Sequence, residues 1–553
     1  MIRWARRLSR SALGGGGTPG GRTAGQGDGR PSTEREDEGA VRVRAPGARQ
    51  WAGALSAIII AAGALLLTPS GAASKTRVGE VARVRIESPH PYPSGDASRP
   101  AVWSYTVQHP GASLIKLHFS NFDLGRGDVV RIFDGHGNVA VEYTDRQNAA
   151  PRFWAPSIAG DTAVIELQAG GEGTGGGIAI DRYAHAAAPI TTLSTCGSDQ
   201  KEDIACHAGG PIETSSRAVG RLLFEAHGAL FACTGFLISA QDHFLTNRHC
   251  ISGQASVDSA EVLFGYQRAE CGEREISPGI PYAGDRLVRT SKPLDMALMT
   301  LAGHPSGTYG FLPLAGRALA VDEPLYLPQH PNGGPQMVSV LDCRVSTSLV
   351  DGASPASDFG HRCDTEPGSS GSPVLDLDDT VVGLHRAGAC TEGGGENSAV
   401  LMSRILPLLP PSETTLALDD ALIIPAQGSI TLSATLLLGR SSNGVAIRLE
   451  PVALTLADAD GPIYSVTVPG GILQGQQSNF VFSDPKGKAG NGLRRLSLRV
   501  KDLNTILIFA TVRGVDLHGA DRSDLTVRAQ IGDDGAAQTV TLRPRSTGGW
   551  VFP

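Results

Sequence analysis

Hydrophobic and polar positions alternate with a period of two over separate stretches of the chain, and this predicts short strands with one face turned inward. Ile115, Leu117 and Phe119 interleave with Lys116 and His118, and a second apolar run follows at Ala163–Leu167. The turn pairs Asp134-Gly135 and His136-Gly137 lie between them, so residues 76–186 are expected to form a small β-sandwich. Near the other end, Leu496, Leu498 and Val500 alternate with Ser497, Arg499 and Lys501. Ile506, Ile508, Ala510 and Val512 repeat the pattern, as do Leu525, Val527, Ala529 and Ile531, which predicts a second sandwich-like domain over 410–553. Residues 187–409 have the length and the strand-and-turn character of a double β-barrel, and Pro407, Pro410 and Pro411 mark its end. The expected fold class is all-β, with a double barrel flanked by two sandwiches.

Composition supports strands over long helices: the 553 residues include 70 Gly and 35 Pro, while aromatics make up 5%. The net charge of −7 is spread along the chain and gives no electrostatic case for nucleic acid. The apolar run from Ala54 to Leu67 is preceded by Arg42, Arg44 and Arg49 and followed by Pro69, Ser70, Gly71, Ala72 and Ala73. That order reads as a secretory signal within residues 1–75, cleaved near Ala73, with an uncleaved anchor as the alternative. The expectation is export, with the membrane met only in transit. All eight cysteines lie between Cys196 and Cys390. In an exported chain this implies disulfides, and without a C-x-x-C pair or a close Cys/His set no metal site is expected.

Candidate chemistry sits in the cysteine-bearing middle. Acyl transfer from an amide needs a nucleophile, a base and donors for the oxyanion. Thr246-Asn247-Arg248-His249-Cys250 places an imidazole at the end of an apolar strand. Leu294-Asp295-Met296-Ala297-Leu298 sets an acid inside an apolar run, where a carboxylate needs a partner such as the N–H of His249. Glu366-Pro367-Gly368-Ser369-Ser370-Gly371-Ser372-Pro373 is a turn in which the N–H groups of Gly368 and Ser370 can converge on an oxyanion. The order His249, Asp295, Ser370 is that of the chymotrypsin arrangement, whereas an α/β-hydrolase elbow needs a second Gly at position 372 and the order Ser, Asp, His.

From Cys196 to Ile405 the chain resembles the bacterial lysyl endopeptidases, within the chymotrypsin-like superfamily of serine proteases. The resemblance rests on Ser194-Thr195-Cys196, Cys206, Arg217-Ala218-Val219-Gly220, Ala232-Cys233-Thr234-Gly235, the His249-Cys250 segment, His330-Pro331-Asn332 and Thr365 to Pro373. It implies disulfides Cys196–Cys390, Cys206–Cys271 and Cys233–Cys250, and it leaves Cys343 and Cys363 to pair by exclusion. It also implies that residues 76–186 stand where the family carries a propeptide. The family cuts itself before its first cysteine, yet Ala188 to Thr195 holds no Lys or Arg. A basic-specific enzyme is therefore not expected to cut itself there: another protease cuts, or the β unit stays attached.

The side chain read at the cleaved bond has two expectations. Resemblance to trypsin-like enzymes, which carry an acid at the floor of the pocket six residues before the nucleophile, implies that Asp364 would sit there and favour Lys or Arg, and Glu396 is a loose equivalent of the acid that the lysyl enzymes carry after the nucleophile. Against this, Thr365 and His385 stand where the glutamyl endopeptidases read an acidic side chain, and Arg386 would join them or neutralise Asp364. The reading favours cleavage after Lys or Arg by a secreted, bacterial enzyme of the medium or periplasm that acts on proteins or peptides without a cofactor. A glutamyl-type enzyme is the alternative. The other is an inactive homologue that binds a surface or polysaccharide through its C-terminal domain.

Overall fold

The computed structural model describes residues 75–93, 101–170, 175–186, 195–391, 394–476, 478–488, 491–502, 504–517 and 524–552. The expected signal segment before Lys75, and the junction at 187–194, lie outside the described residues. Among the described residues no helix is long and apolar enough to cross a membrane.

The first unit packs two sheets face to face. One has the order β1 (Thr76–Glu87), β7 (Gly177–Ala186), β3 (Leu114–Asp123); the other has the order β2 (Ala101–Gln108), β6 (Thr162–Gln168), β4 (Val129–Asp134), β5 (Val139–Thr144). Ile115, Leu117 and Phe119 of β3 meet Val130, Ile132, Ile165 and Leu167 in a closed core. The Asp134 turn forms as its sequence requires, its carboxylate accepting the N–H groups of His136 and Asn138, both at 2.9 Å. One position departs from simple alternation. Lys116, on the polar face of β3, is only 2% exposed, because that face is covered by the next unit.

That unit begins with a closed six-stranded barrel. Its strands are β8 (Val219–Ala226), β9 (Ala229–Leu237), β10 (His243–Asn247), β11 (Glu261–Arg268), β12 (Ile276–Ser291) and β13 (Met296–Leu301). They pair in the order β8-β11-β12-β13-β10-β9, and β9 returns to β8. Two of these strands, β10 and β13, are buried along their whole length, whereas β12 is exposed or half-buried throughout. A second set follows in the order β14 (Val345–Val350), β15 (Asp358–His361), β18 (Asn397–Leu401), β17 (Val381–Ala387), β16 (Pro373–Leu375). Bridges from Tyr326 to Leu375 and from Pro324 to Arg344 carry the intervening segment across it, completing the double barrel. One core joins the two halves, with Leu237, Leu298 and Phe244 on one side and Tyr326, Leu375 and Leu384 on the other.

Disulfides join Cys196 to Cys390, Cys206 to Cys271, Cys233 to Cys250 and Cys343 to Cys363. The first spans a sequence separation of 194 residues, for which loop-closure entropy gives about 4–5 kcal/mol of stabilisation. Residues beyond Thr415 build a second sandwich around one apolar core, with Leu496, Leu498, Ile506, Ile508, Leu525 and Ile531 all buried and Arg499 and Lys501 exposed.

Candidate active site

The imidazole of His249 stands just past the end of β10. The turn that carries it is closed by Cys250 N–H and Ile251 N–H donating to the Asn247 carbonyl at 3.2 and 3.1 Å, and the Cys233–Cys250 bond ties it to β9. Asp295 lies between β12 and β13 in a left-handed backbone conformation, φ 43°. Its carbonyl accepts Arg248 N–H at 2.9 Å and Asn247 Nδ2–H at 3.1 Å, contacts that offset the strain of a non-glycine residue at positive φ.

Both oxygens of the Asp295 carboxylate face His249. Oδ2 is 2.7 Å from Nδ1, and Oδ1 accepts the His249 backbone N–H at 2.9 Å. An ionised carboxylate only accepts, so the imidazole hydrogen belongs on Nδ1, and Nε2 presents a lone pair. Nε2 is buried and has no hydrogen-bond partner among the described residues. The arrangement is that of a base oriented by an acid.

Ser370 sits in a turn clamped by both barrels. Ser369 N–H donates to Glu366 O at 2.9 Å, and Ser372 N–H to Ser369 O at 3.0 Å. Gly371 N–H donates to the His385 carbonyl of β17, and His385 N–H donates back to Ser372 O. From β9, Thr234 gives its N–H to Ser370 O at 2.9 Å and its hydroxyl to Gly368 O at 2.8 Å, while its own carbonyl accepts the Thr246 hydroxyl at 2.7 Å. Thr234 thus links the Ser370 turn to β10, three residues before His249. Sequence reasoning passed over it, although it sits inside the quoted Cys233-Thr234-Gly235 motif. Gly368 and Gly371 adopt φ of 101° and 90°. A Cβ at Gly368 would stand 2.9 Å from Asn332 N and His330 O, and one at Gly371 would overlap the Thr234 carbonyl, so both positions need glycine.

The residues expected to read the substrate side chain separate in space and chemistry. Asp364 is buried, and its two oxygens accept the backbone N–H groups of Cys196 at 2.7 Å and Gln200 at 2.9 Å. It anchors the segment after the junction instead of offering a free carboxylate to a cation. The same segment sends the buried Lys201 ammonium to Glu366 at 3.0 Å and Asp199 at 2.6 Å. Arg386 does not neutralise Asp364 either: its Nε donates to Asp358 at 2.7 Å. Glu396 is half-buried, and its Oε2 accepts the hydroxyls of Ser346 at 2.6 Å and Thr347 at 2.8 Å.

Thr365 and His385 belong to a different set. The Thr365 hydroxyl accepts Asn397 Nδ2–H at 3.1 Å, and Asn397 also holds the Cys363 carbonyl and the N–H groups of Ala389 and Cys390. His385 Nδ1 is 3.1 Å from His361 Nε2. Burial pushes the His361 imidazole down to about 3, and it pushes His385 well below its ordinary value, with His361, Arg386 and His249 adding to the effect. Both rings are neutral near pH 7. His361 Nδ1 is buried without a partner among the described residues. A lone pair is tolerated there better than an orphan N–H, so Nε2 of His361 donates and His385 carries its hydrogen on Nε2. His361 is a further residue that sequence reasoning missed, since its pairing with position 385 depends on β15 and β17 both flanking β18.

The family described as "Trypsin-like peptidase domain" matches residues 233–384. A "Secreted RxLR effector protein 73" of Plasmopara viticola is 30% identical over 314 residues, spanning 52% of this chain and 78% of the effector. Among solved structures, the Rv3671c protease in its inactive form is 19% identical with a TM-score of 0.29, covering 38% of this chain and 94% of its own. A Glu endopeptidase is 19% identical with a TM-score of 0.29, covering 38% and 93%. Deg5 is 16% identical with a TM-score of 0.27, covering 35% and 88%.

Proposed function

This chain belongs to one family with that secreted effector and carries a trypsin-like peptidase domain, and on that premise we propose that it is a secreted serine endopeptidase using Ser370, His249 and Asp295. The observation that carries the reading is the double acceptance by Asp295, whose two oxygens fix both the ring and the backbone of His249. His249 Nε2 takes the proton of Ser370 as its oxygen attacks the scissile carbonyl. Asp295 stabilises the imidazolium that forms, and the N–H groups of Gly368 and Ser370 hold the oxyanion. The proton then passes to the leaving amine, and water resolves the acyl-enzyme by the same steps. The chemistry asks for no cofactor. Four disulfides support an oxidising destination.

For the side chain before the cleaved bond, Glu or Asp is favoured over the basic preference expected from sequence. Asp364 already holds two backbone N–H groups, and Glu396 holds two hydroxyls. A neutral His385 with a hydrogen on Nε2, beside the Thr365 set, is suited to donate to a carboxylate without burying a fixed charge. The test is hydrolysis of matched fluorogenic peptides ending in Glu, Asp, Lys, Arg or Ala, by the full chain beside Ser370→Ala, before and after processing. Cleavage after Glu or Asp that vanishes in Ser370→Ala is expected. Cleavage after Lys or Arg would return the pocket to Glu396, and no cleavage at all would favour a binding protein.

A further inference from the structure

The first sandwich shares a sheet with the barrel. On one edge β1 pairs with β7 of its own unit; on the other it pairs with β9, in the register Thr76↔Ala232, Arg77↔Phe231, Gly79↔Leu230 and Glu80↔Ala229. Strand β9 uses Phe236 and Leu237 to pair with β10, so β1 fills the half of that edge which β10 leaves open. Val81 N–H extends the contact to Gly228 O at 3.1 Å. Around the added strand, Val78, Ala184 and Ala186 of the sandwich form one buried cluster with Leu223, Leu230 and Ala232 of the barrel.

A polar contact is enclosed beside it. Lys116 Nζ stands 3.3 Å from Glu261 Oε2 and donates to Ser259 O at 3.2 Å, with both charged side chains 3% exposed. Ser157 completes the acceptor shell of Glu261 through its N–H at 2.6 Å and its hydroxyl at 2.5 Å. Arg221 lies behind, over the ring of Tyr266 at 4.3 Å. A domain built for release would leave three defects on the barrel: an open strand edge, an exposed Leu223–Leu230–Ala232 face, and a carboxylate that has lost its ammonium. All the cysteines lie in the later unit, so every contact between the two is non-covalent apart from the chain itself.

We propose that residues 76–186 are a permanent partner of the barrel, held by strand addition and the Lys116–Glu261 pair, and that a cut within 187–194 leaves them bound. This assigns a lasting structural role to a unit that stands where the resembling family carries a propeptide. The inference needs no peptidase activity, so its test uses the full chain carrying Ser370→Ala.

A recognition sequence for a site-specific protease is inserted within 187–194, the junction is cut to completion, and the product is run on size exclusion with mass detection. The two pieces are expected to elute together, including in about 0.5 M NaCl, because a buried pair is little screened. Lys116→Arg is expected to behave in the same way. Lys116→Glu, which sets two carboxylates against each other, is expected to weaken retention at least 100-fold. Separation of the parent pieces on cutting would overturn the proposal, whatever the variants do. Undiminished retention by folded Lys116→Glu would overturn the part assigned to the ion pair.

Discussion

Asp295→Asn is the sharpest perturbation of the candidate site, because both carboxylate oxygens accept from His249, at 2.7 Å from Nδ1 and 2.9 Å from the backbone N–H. An amide cannot accept twice with two oxygens. If its oxygen keeps the backbone N–H, its NH₂ faces Nδ1, drives the ring hydrogen to Nε2 and removes the lone pair that must take the Ser370 proton. If it turns the other way, its NH₂ confronts the backbone N–H and two donors meet with no acceptor, at a cost of about 1–3 kcal/mol. The first orientation avoids that cost and is the one favoured, so the base is lost while the shape is kept. The expected fall in kcat is about 10⁴-fold, or about 5.4 kcal/mol at 1.36 kcal/mol per decade. The assay is kcat and KM on the best peptide of the matched series, with thermal unfolding run in parallel. A folded variant within tenfold of the parent kcat would refute the role given to Asp295.

Asp364→Ala should remove two charge-assisted bonds to Cys196 and Gln200 and lower stability by about 3 kcal/mol in urea unfolding, without changing the ratio of cleavage after Glu to cleavage after Lys; a changed ratio would put Asp364 back in the pocket. Acid should destabilise the chain well above the carboxylate range. Burial holds His330 and His361 down to about 3 and His243 to about 4, so below an unfolded value of about 6.5 the unfolded chain binds more protons. Stability therefore rises with pH through this window, and each histidine forfeits about 2 kcal/mol between pH 6.5 and 5. Urea midpoints that do not move between pH 7.5 and 5 would contradict this.

Much of the architecture is readable in the alternation. The stretches around Leu496, Ile506 and Leu525 become strands whose apolar members are buried in one core, because one face of each is solvated and the period of two survives. The barrel is harder to read, since β10 and β13 are buried on both faces and lose that period. Lys116 shows a further limit. Alternation marks it as outward-facing, but outward here means toward Glu261, and no local pattern reports what a second domain covers. In the candidate site, His249, Asp295 and Ser370 stand out by order and neighbours. The roles of Asp364 and Arg386 are not legible that way, because each depends on a partner remote in the chain: Cys196 and Gln200 for one, Asp358 for the other. His361 is silent in sequence for the same reason.

The central claim is that Ser370 is a nucleophile activated by His249, and covalent capture tests it most directly. The full chain, before and after a cut within 187–194, is treated with a fluorophosphonate probe, and the adduct is located by peptide mass spectrometry. The account predicts one adduct on Ser370, absent from Ser370→Ala and lost in His249→Ala. A folded chain with no adduct in either state, or an adduct on another serine that survives Ser370→Ala, would contradict it.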